Sequence, residues 1–457
     1  MEQLAELREV VAKQGAEIER LKAQRPTTSR TSSKPPSSDS PWQRPKVQRK
    51  SSGRKPGGQP GHAPHQRPSA PPDDVNEVKC VKPEACGCCG GPLAGDDPTP
   101  LRHQIFDIPP ITPRIVEFLL HERKCAACGT ATRGQLPAGV HTSQFGPNVT
   151  ALVCLLTGEY RMSRRSVQRL LSDSFGIDVS LGAISSMERR VSEGLVGPHT
   201  EAMASVAASP FKHLDETTWR QKSDLAWVWT AVGDEATVFV IRDSRGSVVA
   251  QELVGDDPTG IVVTDRFSAY SYIDLDRRQV CLAHLVRDFR RIAEGEKEMR
   301  WIGERLRGLI AALVRLWHLY QDDKIERAQL IRWARPIRVK MIRLLDEGAR
   351  SRGYDTPSRC RGILKTEPAM WTFVEREGID PTNNAAERAL RPVVIHRKTS
   401  LGSQSDRGSR YLERSHTVSA TLRRAGRSIH AFIRAVAHAV LGGGEVPTLL
   451  PKSSVTP

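Results

Sequence analysis

Phe211-Lys-His-Leu-Asp215, Leu225-Ala-Trp-Val-Trp-Thr-Ala-Val232 and Ala236-Thr-Val-Phe-Val-Ile241 are the stretches that decide how this 457-residue chain folds. β-Branched and aromatic residues are prominent in them, and the second and third meet at Gly233-Asp-Glu, so these two read as a hairpin. After a short helix-like stretch, the apolar run Gly260-Ile-Val-Val-Thr-Asp265 reads as a fourth strand and Gln279-Val-Cys-Leu282 as a fifth. The first and fourth strands each end in a carboxylate, Asp215 and Asp265.

Three antiparallel strands, a helix and further strands is the order of a ribonuclease H-like domain. In such a sheet the first and fourth strands are neighbours, which would bring Asp215 and Asp265 together. A single Asp at a strand end carries little weight, because turns favour Asp for local reasons. The pair carries more: oxygen ligands suit hard cations such as Mg²⁺ or Mn²⁺, and paired ions about 3.5–4 Å apart serve phosphodiester chemistry. A third acid is expected from a helix, and Pro381-Thr-Asn-Asn-Ala-Ala-Glu387-Arg-Ala-Leu-Arg391-Pro supplies one. Thr382 or Asn383 can cap a helix that Pro392 stops, with Glu387 in its second turn and Leu390 and Arg391 on the same face. The bland alternative is a surface Glu–Arg pair. Between Asp265 and Glu387, residues 284 to about 375 are charged and helical, as an inserted subdomain would be.

Upstream, Cys86-Gly-Cys-Cys89-Gly90 and Cys125-Ala-Ala-Cys128-Gly129 are two C-x-x-C-G knuckles with 35 residues between them. Two such pairs make a four-thiolate site for structural Zn²⁺, in which Cys80 or Cys88 could substitute for a ligand, whereas a redox motif needs only one pair. Ser163-Arg-Arg-Ser-Val-Gln-Arg-Leu-Leu, a turn through Phe175-Gly176-Ile177 and a helix opened by Ser180 resemble a helix-turn-helix, which makes Arg164, Arg165 and Arg169 candidate DNA contacts. Leu4, Val11 and Ile18, with Leu7, Gln14 and Leu21, form a short heptad seam, compatible with a coiled coil or with a plain surface helix. From Arg25 to Val75, eleven prolines and ten basic residues stand among Ser, Thr and Gly, which predicts a disordered basic arm. Arg388 to Arg434 holds eleven Lys or Arg against Asp406 and Glu413, so Arg388, Arg391, Arg397 and Lys398 are further candidates for phosphate contacts.

The domain order expected is a coiled-coil helix at 1–24, the basic linker at 25–75, a zinc-binding domain at 76–135 and a helical DNA-binding region at 136–208. A ribonuclease H-like catalytic domain at 209–400 and a basic helical C-terminal region at 401–457 follow. The fold class is thus a multi-domain mixture of α+β and α/β. The formal net charge is +16 and the pI about 9.7, which points to a polyanionic partner. The longest apolar runs, such as Ala151–Leu156, are six residues, far short of the roughly 20 that cross a bilayer. No signal peptide is visible, so a cytoplasmic, nucleoid-associated protein without a membrane partner is expected.

Taken in order, these marks resemble the transposases of the bacterial insertion sequence 66 family over nearly the whole length. The marks are Ser32-Ser-Lys-Pro-Pro-Ser-Ser-Asp39, Arg54-Lys-Pro-Gly-Gly-Gln-Pro-Gly-His62, the two knuckles, His213-Leu-Asp-Glu-Thr217, Thr264-Asp-Arg-Phe-Ser-Ala-Tyr270, Cys281-Leu-Ala-His284 and Asn383-Asn-Ala-Ala-Glu-Arg-Ala-Leu-Arg-Pro392. The resemblance implies that Asp215, Asp265 and Glu387 are a DDE triad and that Cys281 and His284 match a C-x-x-H signature. It implies Mg²⁺- or Mn²⁺-dependent cleavage at element ends and strand transfer into target DNA, with double-stranded DNA as partner, a homo-oligomer on DNA and accessory proteins of the same element. A catalytically inactive zinc-dependent DNA-binding regulator and a ribonuclease H-like nuclease without strand transfer are the alternatives. The chain departs from the family where Thr382 replaces an acid, Arg266-Phe267 replace Gly-Tyr, and Leu401-Gly402 replace Leu-Phe.

Overall fold

The structure is a computed structural model that describes Lys13, Gln14, His62 and residues 67–451. The heptad seam and most of the basic arm therefore lie outside the described residues, apart from Lys13 and Gln14, which are helical. The chain divides into two units, residues 44–113 and the remainder. In the first, the described part holds a 3₁₀ turn at Pro72–Asp74 and the knuckle of Cys86, closed by a bridge between Ala85 and Pro92. In the second, β1 (Glu122–Lys124) and β2 (Ala131–Arg133) form an antiparallel hairpin around the other knuckle. Both knuckles fold alike. Gly90 N–H donates to Cys86 O at 2.9 Å and Gly129 N–H to Cys125 O at 2.8 Å, with φ of +73° and +72° at the two glycines.

Four helices follow: α1 (Pro147–Cys154), α2 (Arg164–Phe175), α3 (Leu181–Gly194) and α4 (Val196–Ala208). The expected turn between α2 and α3 is present. Ser163 and Ser180 cap the two helices by accepting from Ser166 N–H and Ala183 N–H, and Gly176 ends α2 in the left-handed region at φ 63°. Val167, Leu171, Val179, Ile184 and Met187 pack this pair into a small core with Val153 and Leu156.

The central sheet has the order β5-β4-β3-β6-β7, built from β3 (Phe211–Gln221), β4 (Asp224–Val232), β5 (Thr237–Arg242), β6 (Ile261–Thr264) and β7 (Arg278–Val280). The first three are antiparallel, and β6 joins β3 in parallel with Phe211 against Ile261 and His213 against Val263. Such parallel pairing needs a crossover, which α5 (Ser247–Val254) provides. β3 runs past Asp215 for six more residues, because each of them pairs with β4 through to Gln221 against Asp224.

The expected insertion is a helical layer of α6 (Leu282–Glu294), α7 (Arg300–Gln321), α8 (Arg327–Arg350), α9 (Thr356–Leu364) and α10 (Thr372–Glu375), with its own apolar core continuous with β6 and β7. Three further helices complete the unit: α11 (Asn384–Ser400), α12 (Asp406–Arg424) and α13 (Ile429–Gly442). Pro392 does not stop α11, contrary to the sequence expectation. It forfeits one backbone bond, but the turn beyond it buries Val393 and His396, and that burial carries the helix on to Ser400. Beyond α11 the chain turns at a position that takes only glycine. Gly402 has φ +100°, and a Cβ there would stand 2.1 Å from Arg220 O. Among the described residues no helix is long and apolar enough to cross a membrane.

α12 covers the sheet edge. The N–H groups of Thr237, Phe239 and Ile241 on β5 would be unpaired, and they donate to Thr421 Oγ1 (3.1 Å), Thr417 Oγ1 (3.0 Å) and Glu413 Oε1 (2.6 Å), one per helical turn. Behind this contact His396 Nδ1 and His416 Nε2 lie 3.1 Å apart, both buried. Burial, helped by nearby Arg161 for both and by the partner imidazole for His416, lowers His396 to about 4 and His416 to about 3. Both rings are therefore neutral in the fold, while an unfolded chain binds protons below about 6.5. Their contribution to stability is complete above that value and is lost as the pH falls below it, on the order of 1–2 kcal/mol per imidazole by pH 5. Thermal unfolding at pH 7 and pH 5 should show a drop in Tm that His416→Gln reduces.

Candidate active site

Asp215 stands in β3 opposite Thr230, and Asp265 is the first residue after β6. The β3–β6 register pairs His213 with Val263, so each acid lies two residues beyond the same pair. Asp265 is 8% exposed; its Oδ1 accepts from Phe267 N–H at 2.8 Å and its carbonyl from Arg278 at 2.6 Å. Glu387 closes the first turn of α11 rather than lying in the second. Asn383 precedes that helix without a side-chain cap, because its side chain is used elsewhere. Its Nδ2 donates to Leu214 O at 2.7 Å, and its backbone N–H to Cys281 Sγ at 3.1 Å. Cys281 N–H in turn bonds Thr264 O at 2.8 Å, and Leu282 N–H bonds Pro381 O at 2.9 Å. The three acid-bearing segments are thus tied together by a fully buried Asn and the turn from β7 into α6.

Two of the carboxylates, Asp215 and Glu216, are raised by their surroundings. Burial, then the charges of Glu216, Asp265 and Glu387, push Asp215 well above the ordinary carboxylate range. Glu216 is also raised, by burial and by Asp265, but partners temper the shift. Tyr270 hydroxyl donates to its Oε2 at 2.6 Å and Arg245 to its Oε1 at 2.7 Å. Arg245 stacks on the Phe267 ring at 4.0 Å, so Phe267 supports this clamp. Glu387 faces Arg287 at 3.4 Å and His284 Nδ1 at 4.0 Å. That Nδ1 is buried without a hydrogen-bond partner, and burial lowers the His284 pKa. Arg266, beside Asp265, is engaged by Asp288 at 2.6 Å.

Oxygen-only donors that repel one another suit a hard divalent cation, so the chemistry of Asp215, Asp265 and Glu387 fits Mg²⁺ or Mn²⁺. Among the described residues no three His, Cys, Asp or Glu side chains converge as a ready-made metal cage. The knuckles suit zinc in their own way. Backbone N–H groups of Cys89 and Cys88 lower the Cys86 thiol, and Thr130, 3.2 Å from Cys128 Sγ, lowers Cys128.

Of the basic candidates, Arg165 and Arg169 are exposed and border a shallow concavity with Gln168 and Leu181, while Arg164 is bonded to the buried Glu188 at 2.9 Å. Arg388, Arg391 and Lys398 are exposed on α11, but Arg397 donates to Thr217 Oγ1 at 3.2 Å. Arg410, Arg414, Arg423 and Arg424 are likewise engaged by Glu413, Ser192, Glu159 and Gly233 O, because α12 is packed into the core. Sequence reasoning missed Glu216, Arg245, Tyr270 and Asn383. Strand alternation assigns Glu216 to the face opposite Asp215; Tyr270 and Asn383 fall inside the motifs around Asp265 and Glu387, and no motif contains Arg245.

A mixed sheet with an acid cluster over two adjacent strands and a helix belongs here to a DDE transposase domain. Residues 142–411 match the family described as "Transposase IS66 family", and the chain belongs to that family. Residues 83–129 match the zinc-finger binding domain of transposase IS66, and residues 1–68 a family of unknown function. Two proteins of Sinorhizobium fredii (strain NBRC 101917 / NGR234) are similar. Uncharacterized protein y4hP is 25% identical over 382 residues, 74% of this chain and 67% of its own length. Uncharacterized protein y4qI is 27% identical over 216 residues, 41% and 39% respectively.

Because the fold raises Asp215, its ionised form costs stability at neutral pH, and that cost fades as the pH falls toward about 4. Asp215→Asn should raise the Tm at pH 7, by roughly 2–4 °C per kcal/mol relieved, and less at acidic pH. Differential scanning calorimetry at the two pH values reads this out; a lower Tm at pH 7 would contradict the repulsion.

Proposed function

We propose that this chain cleaves DNA at the ends of an insertion sequence and joins them to target DNA, with Asp215, Asp265 and Glu387 as the catalytic acids of a ribonuclease H-like core. The observation that carries this reading is that Asp215 and Asp265 lie two residues beyond the same β3–β6 pair and that the charges of Asp265 and Glu387 both reach Asp215. Bound Mg²⁺ or Mn²⁺, held by these three acids, would supply charge neutralisation and activation of water. Asp215 and Asp265 would hold the scissile phosphate's surroundings from the sheet side, and Glu387 from the helix side. Arg287 and His284 would orient Glu387, while Arg245 and Tyr270 keep Glu216 out of the ligand set. Hydrolysis breaks a P–O bond and frees a 3′-hydroxyl. That hydroxyl then attacks a target phosphodiester in line, without a covalent enzyme–DNA intermediate. Arg165 and Arg169 on α2 would contact the element end, and the exposed Arg388, Arg391 and Lys398 the phosphates near Glu387. A homo-oligomer on DNA, with accessory proteins, acting at the bacterial nucleoid is part of the same reading.

Asp215→Ala, Asp265→Ala and Glu387→Ala should each abolish metal-dependent joining of labelled end DNA to a plasmid while duplex binding persists. Near-normal joining by Glu387→Ala would remove that residue from the site. We assign the zinc of the finger domain to Cys86, Cys89, Cys125 and Cys128. Elemental analysis of protein purified without chelator should find one zinc per chain, lost in Cys86→Ser and Cys128→Ser; wild-type protein without zinc would refute the assignment.

A further inference from the structure

The helical insertion carries a charge excess that the active site does not use. Residues 300–365 contain 16 Lys or Arg against 7 Asp or Glu, while the whole chain has a net charge of +16. The excess is concentrated in α8, where no acid occurs from Arg327 to Leu345. Six basic side chains fall in that stretch, and packing consumes two of them. Arg338 is held by Glu367 at 2.8 Å and Glu375 at 3.0 Å, and half-buried Arg327 reaches Phe373 O at 3.5 Å. The other four, Arg332, Arg335, Lys340 and Arg343, are exposed and have no ion pair or hydrogen bond among the described residues. Exposed Trp333 and Val339, 42% and 43% accessible, lie among them, and Glu347 closes the array at one end.

A solvated helix face ordinarily mixes the two signs, through i,i+4 pairs that offset repulsion. Here four cations repel one another along about 16 Å of helix with no acid between them in the sequence. A duplex presents a phosphate charge every ~1.7 Å of its axis and gains by releasing the counterions those phosphates condense. We infer that the outer face of α8 is a duplex-DNA docking surface that binds phosphates without reading sequence. The inference rests on the DNA-processing reading above and adds a contact surface in the insertion, separate from α2 and from α11.

The test uses the full chain and a random-sequence duplex, with affinity measured over a series of KCl concentrations. Replacing Arg332, Arg335, Lys340 and Arg343 together by Gln should lower the magnitude of the log K against log salt slope by about 0.9 for each phosphate that the variant no longer neutralises, about 3–4 in all. A control of equal charge change, Arg300, Arg307, Arg315 and Lys365 to Gln, should lower it far less. Circular dichroism and zinc content report that both variants are folded. An unchanged slope in the α8 variant overturns the inference, and so does an equal drop in the control, which would mean a diffuse field rather than a surface. A changed oligomeric state with an unchanged slope assigns the face to a protein partner and overturns it too. Wild-type protein that binds no duplex would instead defeat the reading beneath it.

Discussion

The place of Glu387 beside the sheet depends on one buried residue, Asn383. The acids sit on β3, after β6 and on α11, segments separated by about 50 and about 120 residues, and nothing local brings them together. The β3–β6 pairing joins the first two, and Asn383 ties α11 to them with two bonds, to Leu214 O beside Asp215 and, through its own N–H, to Cys281 Sγ at the start of α6. The thiol is pushed up to about 11 by burial, so it stays neutral and serves as an acceptor. A neutral acceptor avoids placing another negative charge among four carboxylates. Each orphaned backbone group would carry a desolvation cost of about 1–3 kcal/mol, so the junction is strongly specified.

That junction holds a repulsive arrangement in place. The raised Asp215 and Glu216 carboxyls oppose folding when ionised, and the fold compensates around them. Arg245 and Tyr270 neutralise Glu216, Arg287 faces Glu387, and Arg278, itself lowered to about 10 by burial, bonds the carbonyls of Asp265 and Tyr270 and the hydroxyl of Thr264. Asp215 lacks a cationic contact among the described residues, and its carboxylate accepts from Glu216 N–H at 3.0 Å. The electrostatic cost is thus focused on Asp215, which has neither a cationic nor a hydroxyl partner among the described residues.

The same logic governs the basic residues. Guanidinium groups of α12 close backbone and carboxylate contacts around β5 and α3, whereas the four outer cations of α8 meet no partner among the described residues. Charge counts alone cannot separate the two roles, because a cation in a packed interface and one awaiting a phosphate look identical in sequence.

Period and local chemistry were legible without coordinates. The β-branched runs predicted the strands, and Ser163, Gly176 and Ser180 marked helix ends through bonds that span only a few residues. What spans the chain was not legible. Pro392 is tolerated because Val393 and His396 are buried beyond it. The C-terminal α12 is a core helix because Glu413, Thr417 and Thr421 satisfy the open edge of β5. Glu216 joins the acid cluster because Arg245 and Tyr270 hold it there. Each of these outcomes is set by a partner between about 30 and 185 residues away or by burial against the sheet, and contacts at that distance override local preference only after the sheet has assembled.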